Sequence, residues 1–288
     1  MKVSIVTINY NNADGLRKTL ASVASQTYRD IEHIIIDGGS TDDSVDAIKE
    51  YVAANPDKNQ FFKHTIKWVS EKDNGIYNAM NKGIQKATGS YIQILNSGDI
   101  LAAPDVTERM MNAIYTVNHT PYTENIPDIL YGNMIKKDYA TGKIIGKSKE
   151  VEYSLRQYYS STMNHDCCYF RRDLFDTYGL YDESLKIVSD WKWFLRAIGL
   201  GNVKPIYIDI DVTIFDCSGI SETNLELRNK ERRQVLEEIL PPAVLADYDK
   251  HAFEVEQMNR LRRRHLYGFV YFIERVLFKF EKWGILRK

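Results

Sequence analysis

The segment Tyr91-Ile92-Gln93-Ile94-Leu95-Asn96-Ser97-Gly98-Asp99 indicates the fold class of this chain. Its first five residues are mostly apolar and predict a buried β-strand. Ligands of open α/β sheets bind at the carboxyl ends of the strands. A carboxylate at that place suits a hard cation such as Mg²⁺, which prefers oxygen ligands and the phosphates of a substrate. The segment therefore predicts an α/β sheet with a ligand site beside Asp99.

Strand and helix patterns alternate upstream of this segment. Short β-branched runs predict strands, and apolar residues at helical spacing predict helices. The predicted strands cover residues 3–8, 31–37 and 66–69, and the predicted helices cover residues 14–26, a stretch around Ile48, and residues 75–87. The expected N-cap residues of these helices are Asp14, then Ser40 or Thr41, then Asp73 or Asn74. Alternating βαβ units predict a mostly parallel sheet that is covered on both faces.

Three polar clusters each follow a predicted strand. They occupy residues 9–12, 37–40 and 96–99. Because the carboxyl ends of parallel strands meet at one edge of the sheet, we expect the three clusters to line one crevice.

The second half of the chain has a less regular pattern. A helix is predicted at residues 105–117, strands are predicted at 129–133, 143–146 and 206–214, and a charged helix is predicted at 224–240. Pro241-Pro242 ends that helix, and a further helical tail follows. We predict an α/β domain at residues 1–220 and a helical extension, basic and amphipathic, at residues 221–288.

Charge is distributed unevenly along the 288 residues. The formal net charge is −1, which argues against a nucleic-acid partner bound by bulk charge. Residues 259–288 hold nine cations and two anions, so this tail carries +7 and the remaining chain carries −8. Aromatic and aliphatic residues accompany the tail's cations and predict an interfacial helix on an anionic membrane. The alternative is a helix that packs on the catalytic domain or on a second copy in a homodimer.

The cysteines and the apolar runs indicate the compartment. Cys167, Cys168 and Cys217 are odd in number and two are adjacent, which fits a reducing environment better than a disulfide framework. The chain shows no signal-peptide pattern and no run of about 18 apolar residues. We expect a cytoplasmic protein, with the tail on the inner face of the cytoplasmic membrane if it docks there.

Asp190 is the candidate catalytic base, within Ile187-Val188-Ser189-Asp190-Trp191-Lys192-Trp193. A carboxylate on a partly apolar wall can have its pKa raised enough to accept a proton from a hydroxyl. The alternative is an N-cap of a helix at residues 191–198. A metal together with a base is what sugar transfer from a nucleotide donor requires.

Several other residues allow a structural and a functional interpretation. Asp37 either caps the helix after Gly39 or contacts a ligand, and the adjacent glycines allow close approach of a ligand to the backbone. His165 is either a satisfied structural histidine or a ligand-side group. Trp191 is either a core residue or a wall of the cleft. Neither a dinucleotide fingerprint nor a P-loop is present around Gly38.

Taken in order, these motifs resemble the family 2 glycosyltransferases with a GT-A fold, of the bacterial polysaccharide-biosynthesis type. The residues that carry the resemblance lie in five segments: 3–11, 36–42, 73–83, 95–99 and 189–191. The match runs from about residue 3 to about residue 215. Two positions depart from the family pattern. Asn96-Ser97-Gly98 stands where many relatives have Asp-x-Asp, and Asp37-Gly38 stands where many have two acids.

The resemblance implies a role for each matched residue. Nucleotide-sugar binding would involve Thr7, Asn9, Asp37, Asp73, Asn81 and Ser97. Asp99 would bind the metal, Mg²⁺ or Mn²⁺, and Asp190 would be the catalytic base. The acceptor side would include His165, Asp166 and Trp191.

The resemblance also implies the reaction. The chain would be an inverting glycosyltransferase that moves a sugar from a nucleotide-diphosphate sugar, most simply a UDP-sugar, to a hydroxyl of a glycan or lipid-linked acceptor. Surface polysaccharide or lipid-linked oligosaccharide synthesis would be its setting. Two alternatives stay open at this point: a nucleotidyltransferase, and a catalytically weak carbohydrate- or nucleotide-binding protein.

Overall fold

The computed structural model describes residues 1–55, 63–117, 126–138, 142–151, 154–216, 224–263 and 267–282. The chain divides into two compact units, Met1–Arg232 and Arg233–Lys288. Cys217 and the expected domain boundary at residue 220 lie outside the described residues. The division into a catalytic domain and an extension therefore stays a prediction.

The first four long strands form the parallel half of the sheet. They are β1 (Val3–Asn9), β2 (Asp30–Asp37), β3 (Lys63–Ser70) and β4 (Tyr91–Asn96). Their order is β3-β2-β1-β4, and each neighbouring pair is parallel. Asn9 pairs with Asp37, and Ile8 pairs with Asn96. This register brings the polar clusters that follow the strands to one edge of the sheet, as the sequence predicts.

Helices cover both faces of β1. The helices of this region are α1 (Ala13–Ala24), α2 (Ser44–Ala54), α3 (Ile76–Lys86) and α4 (Val106–Val117). Val3 and Ile5 pack in one buried cluster with Met110 of α4. Val6, whose side chain points to the other face, lies against α3. A Cβ on Gly83 would come within 2.2 Å of the Val6 side chain, so this glycine permits the close approach of α3 to β1.

The second half of the sheet is mixed. Its strands are β5 (Ile100–Leu101), β6 (Ile129–Lys137), β7 (Ile144–Lys147), β8 (Cys168–Arg171) and β9 (Pro205–Asp216). β8 is antiparallel to both β4 and β6, whereas β6 and β9 are parallel. The expectation of a mostly parallel sheet therefore holds for the first half only. β5 and β8 are not predicted from the sequence, because strands of two and four residues are too short to show a recognisable pattern.

Short helices and turns connect these strands, and longer helices follow them. The short ones are α5 (Leu155–Ser160), a 3₁₀ turn (His165–Cys167), α6 (Leu174–Tyr178) and α7 (Ser189–Phe194), which continues as a π-helical turn (Leu195–Gly199). The later ones are α8 (Leu225–Ile239), α9 (Pro242–Arg263) and α10 (Tyr267–Lys282). The predicted helical C-terminal region is confirmed. Among the described residues, no helix is long and apolar enough to cross a membrane.

The predicted helix caps are wrong in each case. Asn12, not Asp14, caps α1, because its side chain accepts a hydrogen bond from the Gly15 N–H. The N-cap positions of α2 and α3 are Asp43 and Gly75, and neither makes a side-chain cap bond. Ser40, Thr41, Asp73 and Asn74 lie before those positions. Their side chains belong to the turns around the site, so tertiary contacts there override the local capping preference.

Candidate functional site

A cavity of about 790 Å³ opens at the carboxyl ends of β1, β2 and β4. All three polar clusters contribute to its wall, which confirms the expected crevice. The lining residues are Ile8, Asn9, Tyr10, Asn12, Gly38, Gly39, Lys72, Asp73, Gly75, Ile76, Ala79, Asn96, Ser97, Asp99 and Phe215. Of the candidate binding residues, the cavity wall thus includes Asn9, Asp73, Ser97 and Asp99.

Asp37 lies behind this wall and organises the turn after β2. Its carboxylate accepts hydrogen bonds from the Asn9 amide, from the Ser70 hydroxyl, and from both the backbone N–H and the hydroxyl of Ser40. Burial opposes ionisation, but these bonds outweigh it and lower the pKa of Asp37. Asp37 does not cap α2, so that structural interpretation is wrong. Its contact with a nucleotide stays a prediction.

The glycines after Asp37 leave room in the cavity. A Cβ on Gly38 would lie 2.9 Å from Asp73 Oδ2 and 3.2 Å from Tyr10 Cδ2. Gly39 has a φ of 76°, in the region that favours glycine. The turn can therefore pass close to a bound molecule without side chains in the way.

Thr7 and Asn81 are both buried and bonded to other parts of the protein. Thr7 Oγ1 lies 2.9 Å from His33 Nε2. The Asn81 amide donates to the Tyr181 carbonyl and to the Glu183 carboxylate, and its oxygen accepts from the Tyr181 N–H. Neither residue lines the cavity. Their predicted roles in nucleotide binding stay predictions.

Asp73 projects from the loop before α3 and does line the cavity. Lys82 Nζ lies 2.8 Å from Asp73 Oδ1 and 2.8 Å from Glu71 Oε1. The lysine therefore fixes the Asp73 carboxylate at the cavity wall and balances part of its charge.

Asp99 occupies the mouth of β4, as the sequence predicts. It is 3% exposed and lines the cavity. Thr19 Oγ1 accepts a hydrogen bond from the Gly98 N–H and donates to the Asp99 carbonyl, which fixes the turn. Among the described residues, no three His, Cys, Asp or Glu side chains form a metal-binding group. One cavity carboxylate still fits Mg²⁺, since this ion is held by one or two carboxylates together with substrate phosphates.

Asp190 lies in the first turn of α7 and is held by two neighbours. Its Oδ2 is 2.9 Å from His165 Nδ1, and its Oδ1 is 2.9 Å from the Tyr77 hydroxyl. The N-cap position of α7 is Val188, so the interpretation of Asp190 as an N-cap is wrong. His165 Nε2 is 3.4 Å from the Asn96 amide nitrogen, and Asn96 lines the cavity. His165 therefore lies between Asp190 and a residue of the cavity wall at β4.

The pair of Asp190 and His165 is an ion pair at neutral pH. Burial opposes the charge on His165, but the hydrogen bond and charge of Asp190 raise the pKa of His165 to about 9. Burial likewise opposes the charge on Asp190, and the bond to His165 still lowers the pKa of Asp190. The expected raised pKa of Asp190 is wrong, because a partner charge outweighs the apolar wall. The carboxylate is therefore ionised at neutral pH.

The other two candidates on the acceptor side have internal partners. Trp191 Nε1 donates to the Tyr158 carbonyl at 2.7 Å, and Thr213 Oγ1 donates to Asp166 Oδ2 at 2.7 Å. Burial raises the pKa of Asp166. Their predicted acceptor roles stay predictions.

Two aromatic residues of the site were not given a role by the sequence, although Tyr10 belongs to the cluster at residues 9–12 that was expected at the crevice. Tyr10 is 68% exposed and lines the cavity. Tyr77 contacts Asp190 from α3. Helical spacing alone assigns Tyr77 to no particular face of the site, whereas Tyr10 belongs to a polar cluster already placed at the crevice.

The comparison with protein families agrees with this geometry. The model for glycosyl transferase family 2 matches residues 4–179. The chain is a family 2 glycosyltransferase. It is 33% identical over 269 residues to an uncharacterized glycosyltransferase of Mycobacterium tuberculosis. The aligned region covers 92% of this chain and 86% of that protein. It is 28% identical to a PGL/p-HBAD biosynthesis glycosyltransferase of Mycobacterium bovis, over 76% of this chain and 79% of that one.

Solved structures confirm the GT-A fold of this glycosyltransferase. TarS 1–349 of S. aureus in complex with UDP-GlcNAc has a TM-score of 0.62 at 19% identity, over 82% of this chain and 64% of that one. The mannosyltransferase PcManGT of Pyrobaculum calidifontis, in complex with GDP-Man and Mn²⁺, has a TM-score of 0.56 at 17% identity. That match covers 81% of this chain and 60% of PcManGT. The chain thus spans less than two thirds of each of these two proteins.

Proposed function

We propose that this glycosyltransferase moves a sugar, with inversion, from a UDP-sugar to a hydroxyl of a glycan or lipid-linked acceptor. The observation that carries the proposal is the ionised Asp190 carboxylate, which is held by Tyr77 and by His165, a neighbour of the cavity residue Asn96. An ionised carboxylate that is held in one place can accept the proton of an acceptor hydroxyl, so Asp190 is the proposed general base.

The reaction is a single displacement. Asp190 accepts the proton of the acceptor hydroxyl while that oxygen forms a bond to the anomeric carbon. The bond from this carbon to the diphosphate breaks, and its electron pair leaves with the diphosphate. The transition state is oxocarbenium-like, as in other glycosyl chemistry. His165 and Tyr77 keep the carboxylate in place throughout.

The donor occupies the cavity at the strand ends. Asn9, Tyr10 and Asp73 line the side next to β1 and β2 and accommodate the base and ribose. Ser97 and Asp99 line the side at β4 and face the diphosphate. A uridine base is supported by the likeness to TarS, whose structure contains UDP-GlcNAc. PcManGT is a counterexample with GDP-Man, so the experiment below compares both bases.

A divalent cation, Mg²⁺ or Mn²⁺, fits beside Asp99. Bound there, it would neutralise charge that grows on the leaving diphosphate. The Asp99 carboxylate is held near the donor by the turn that Thr19 closes.

The tail supports a lipid-linked acceptor. Helix α10 exposes a run of aromatic and aliphatic side chains, Phe269, Val270, Tyr271, Phe272, Ile273, Leu277 and Phe278, which are each 40% to 65% exposed. Peripheral contact with an anionic membrane would place enzyme and acceptor on one surface. The similarity to a glycosyltransferase of PGL/p-HBAD biosynthesis points the same way.

The test is product analysis with UDP- and GDP-sugars in the presence of Mn²⁺. We expect release of UDP, not pyrophosphate, and an anomeric configuration in the product opposite to that of the donor, read by NMR. Pyrophosphate release would instead indicate a nucleotidyltransferase, and retained configuration would contradict the single displacement. Donor turnover at the background rate would indicate a binding protein.

A further inference from the structure

We propose that Glu231 and Arg232 of α8 are positioning residues for Asp190, through the chain segments on either side of it. The inference rests on the proposed role of Asp190 as the base. Both residues belong to the first compact unit, and both lie beyond residues 4–179, where the family model matches. Neither touches the reacting atoms.

Glu231 holds the segment before Asp190. Its carboxylate is 6% exposed and meets two consecutive backbone donors. The Lys186 N–H donates to Oε1 at 2.8 Å, and the Ile187 N–H donates to Oε2 at 2.9 Å. Hydrogen bonds to an ionised group are shorter and stronger than neutral ones. Two bonds to consecutive N–H groups therefore fix both the position and the orientation of the backbone at residues 186–187.

The segment that Glu231 holds also contacts Tyr77, the residue that meets the Asp190 carboxylate. The Tyr77 hydroxyl lies 2.6 Å from the Ile187 carbonyl and 2.9 Å from Asp190 Oδ1. Ile187 is thus fixed by Glu231 through its N–H and by Tyr77 through its carbonyl. A displacement of Ile187 would move the hydroxyl that meets the Asp190 carboxylate.

Arg232 holds the residue after Asp190. Its guanidinium lies 4.5 Å from the centre of the Trp191 ring, and its Nη2 donates to the Ser161 carbonyl at 2.7 Å. A cation over the face of an indole is an attractive contact. The two neighbouring residues of α8 therefore hold Asp190 from both sides along the chain.

A buried glutamate at position 231 is less favourable in free energy than an apolar residue that only had to fill the space. Burial of a carboxylate costs desolvation free energy, and only well-aligned hydrogen bonds offset that free energy. An apolar side chain would fill the same space with a smaller desolvation penalty. What the carboxylate adds is a fixed position. Reaction rates are sensitive to position, since a misplacement of about 1 Å can cost about 10²-fold.

The experiment measures kcat, donor KM, UDP binding and Tm for the full chain and four variants. Glu231→Ala removes both acceptors, and Glu231→Gln keeps one of them. Glu32→Gln is the matched control, because Glu32 is also a buried glutamate that accepts a backbone N–H, from Thr88. Glu32 lies five residues before the cavity end of β2, about 16 Å away at strand spacing. Asp190→Asn is the reference for loss of the base.

We expect kcat of Glu231→Ala to fall by about 10-fold to 10²-fold, with donor KM and UDP binding within about twofold. Glu231→Gln should recover part of kcat, and Glu32→Gln should lower Tm while leaving kcat unchanged. If Asp190→Asn is inactive but Glu231→Ala keeps full kcat, the positioning role is overturned while the role of Asp190 as base is retained. The same conclusion follows if Glu32→Gln loses as much kcat as Glu231→Ala. If Asp190→Asn stays active, both proposals are wrong. Should Glu231→Ala fail to fold, Arg232→Met takes its place with the same expectation.

Discussion

At the scale of single residues, the site depends on how one carboxylate is kept ionised in a buried place. Asp190 has an apolar and aromatic sequence neighbourhood, and burial by itself would raise its pKa. The hydrogen bond from His165 reverses the direction of that shift. The result is a carboxylate that is ionised at neutral pH and that two hydrogen bonds hold in one orientation.

Asp190→Asn tests the base directly. Asparagine keeps the size and much of the hydrogen bonding but cannot take up the proton. We expect turnover to fall by about 10²-fold or more, while UDP binding, measured by thermal shift, stays nearly unchanged. Near-normal turnover would mean that another group is the base.

The ion pair predicts a dependence of stability on pH. The pKa of His165 in the folded protein is about 9, above its ordinary value of 6.5. A raised histidine pKa stabilises the fold fully below the ordinary pKa, and this stabilisation is lost as the pH rises through the folded value. We expect the Tm difference between the parent chain and His165→Asn to shrink between about pH 6.5 and about pH 9. A difference that stays constant over this range would contradict the ion pair.

Asp99→Ala tests the metal site. The substitution removes a carboxylate ligand at the cavity wall. We expect Mg²⁺ or Mn²⁺ to strengthen UDP binding in the parent chain and to have no such effect in the variant, as measured by calorimetry. The same metal enhancement in both proteins would place the cation elsewhere.

At the scale of elements, the site is built from turns that follow parallel strands. The turn after β2 is held from inside by Asp37 and presents Gly38 and Gly39 to the cavity. The Asp37 side chain thus stabilises the turn from the protein interior, and the backbone at Gly38 and Gly39 leaves space on the cavity side. This division explains why an aspartate of the motif is buried while the glycines line the cavity.

Gly38→Ala tests this division. The added Cβ would lie 2.9 Å from Asp73 Oδ2 and 3.2 Å from Tyr10, so both cavity residues would have to move. We expect UDP binding to weaken by roughly tenfold, since overpacking costs about 1–3 kcal/mol. Gly146→Ala is the matched control, because its Cβ would meet nothing closer than 3.8 Å. Equal binding by the two variants would show that the donor does not approach this turn.

At the scale of the whole molecule, the second unit differs in character from the first. In α10, Phe269, Phe272 and Ile273 are exposed apolar residues that share one face by helical spacing, and Arg275 lies one turn after Phe272. These exposed apolar side chains suit burial in the headgroup region of a membrane, and the tail's net positive charge favours anionic lipid. Trp283 and Ile285 of the predicted apolar run, and Arg264, Arg287 and Lys288 of its cations, lie outside the described residues. The membrane contact and the homodimer both stay predictions.

The double variant Phe269→Ser with Phe272→Ser tests the tail in the full chain. We expect it to bind vesicles of anionic phospholipid more weakly than the parent in a flotation assay, because apolar area is lost. Raised salt should also weaken the parent's binding. Phe253→Ser, an exposed phenylalanine of α9, is the control and should bind as the parent does. A parent chain that ignores such vesicles at low salt would favour packing on protein instead.

Local sequence patterns are enough to predict the parallel half of the fold and the location of the crevice. Strands that are buried on both faces are predicted from short β-branched apolar runs, and amphipathic helices are predicted from helical periodicity. Polar clusters at the ends of parallel strands meet at one edge of the sheet. The direction of the Asp190 pKa shift, the helix caps and the strand β8 follow from tertiary contacts that no local pattern shows. Each of these depends on a partner distant in sequence: His165 for the carboxylate, neighbouring strands for β8, and the turns of the site for the caps. Local patterns carry no information about such partners, because the contact exists only once the sheet has brought the two segments together.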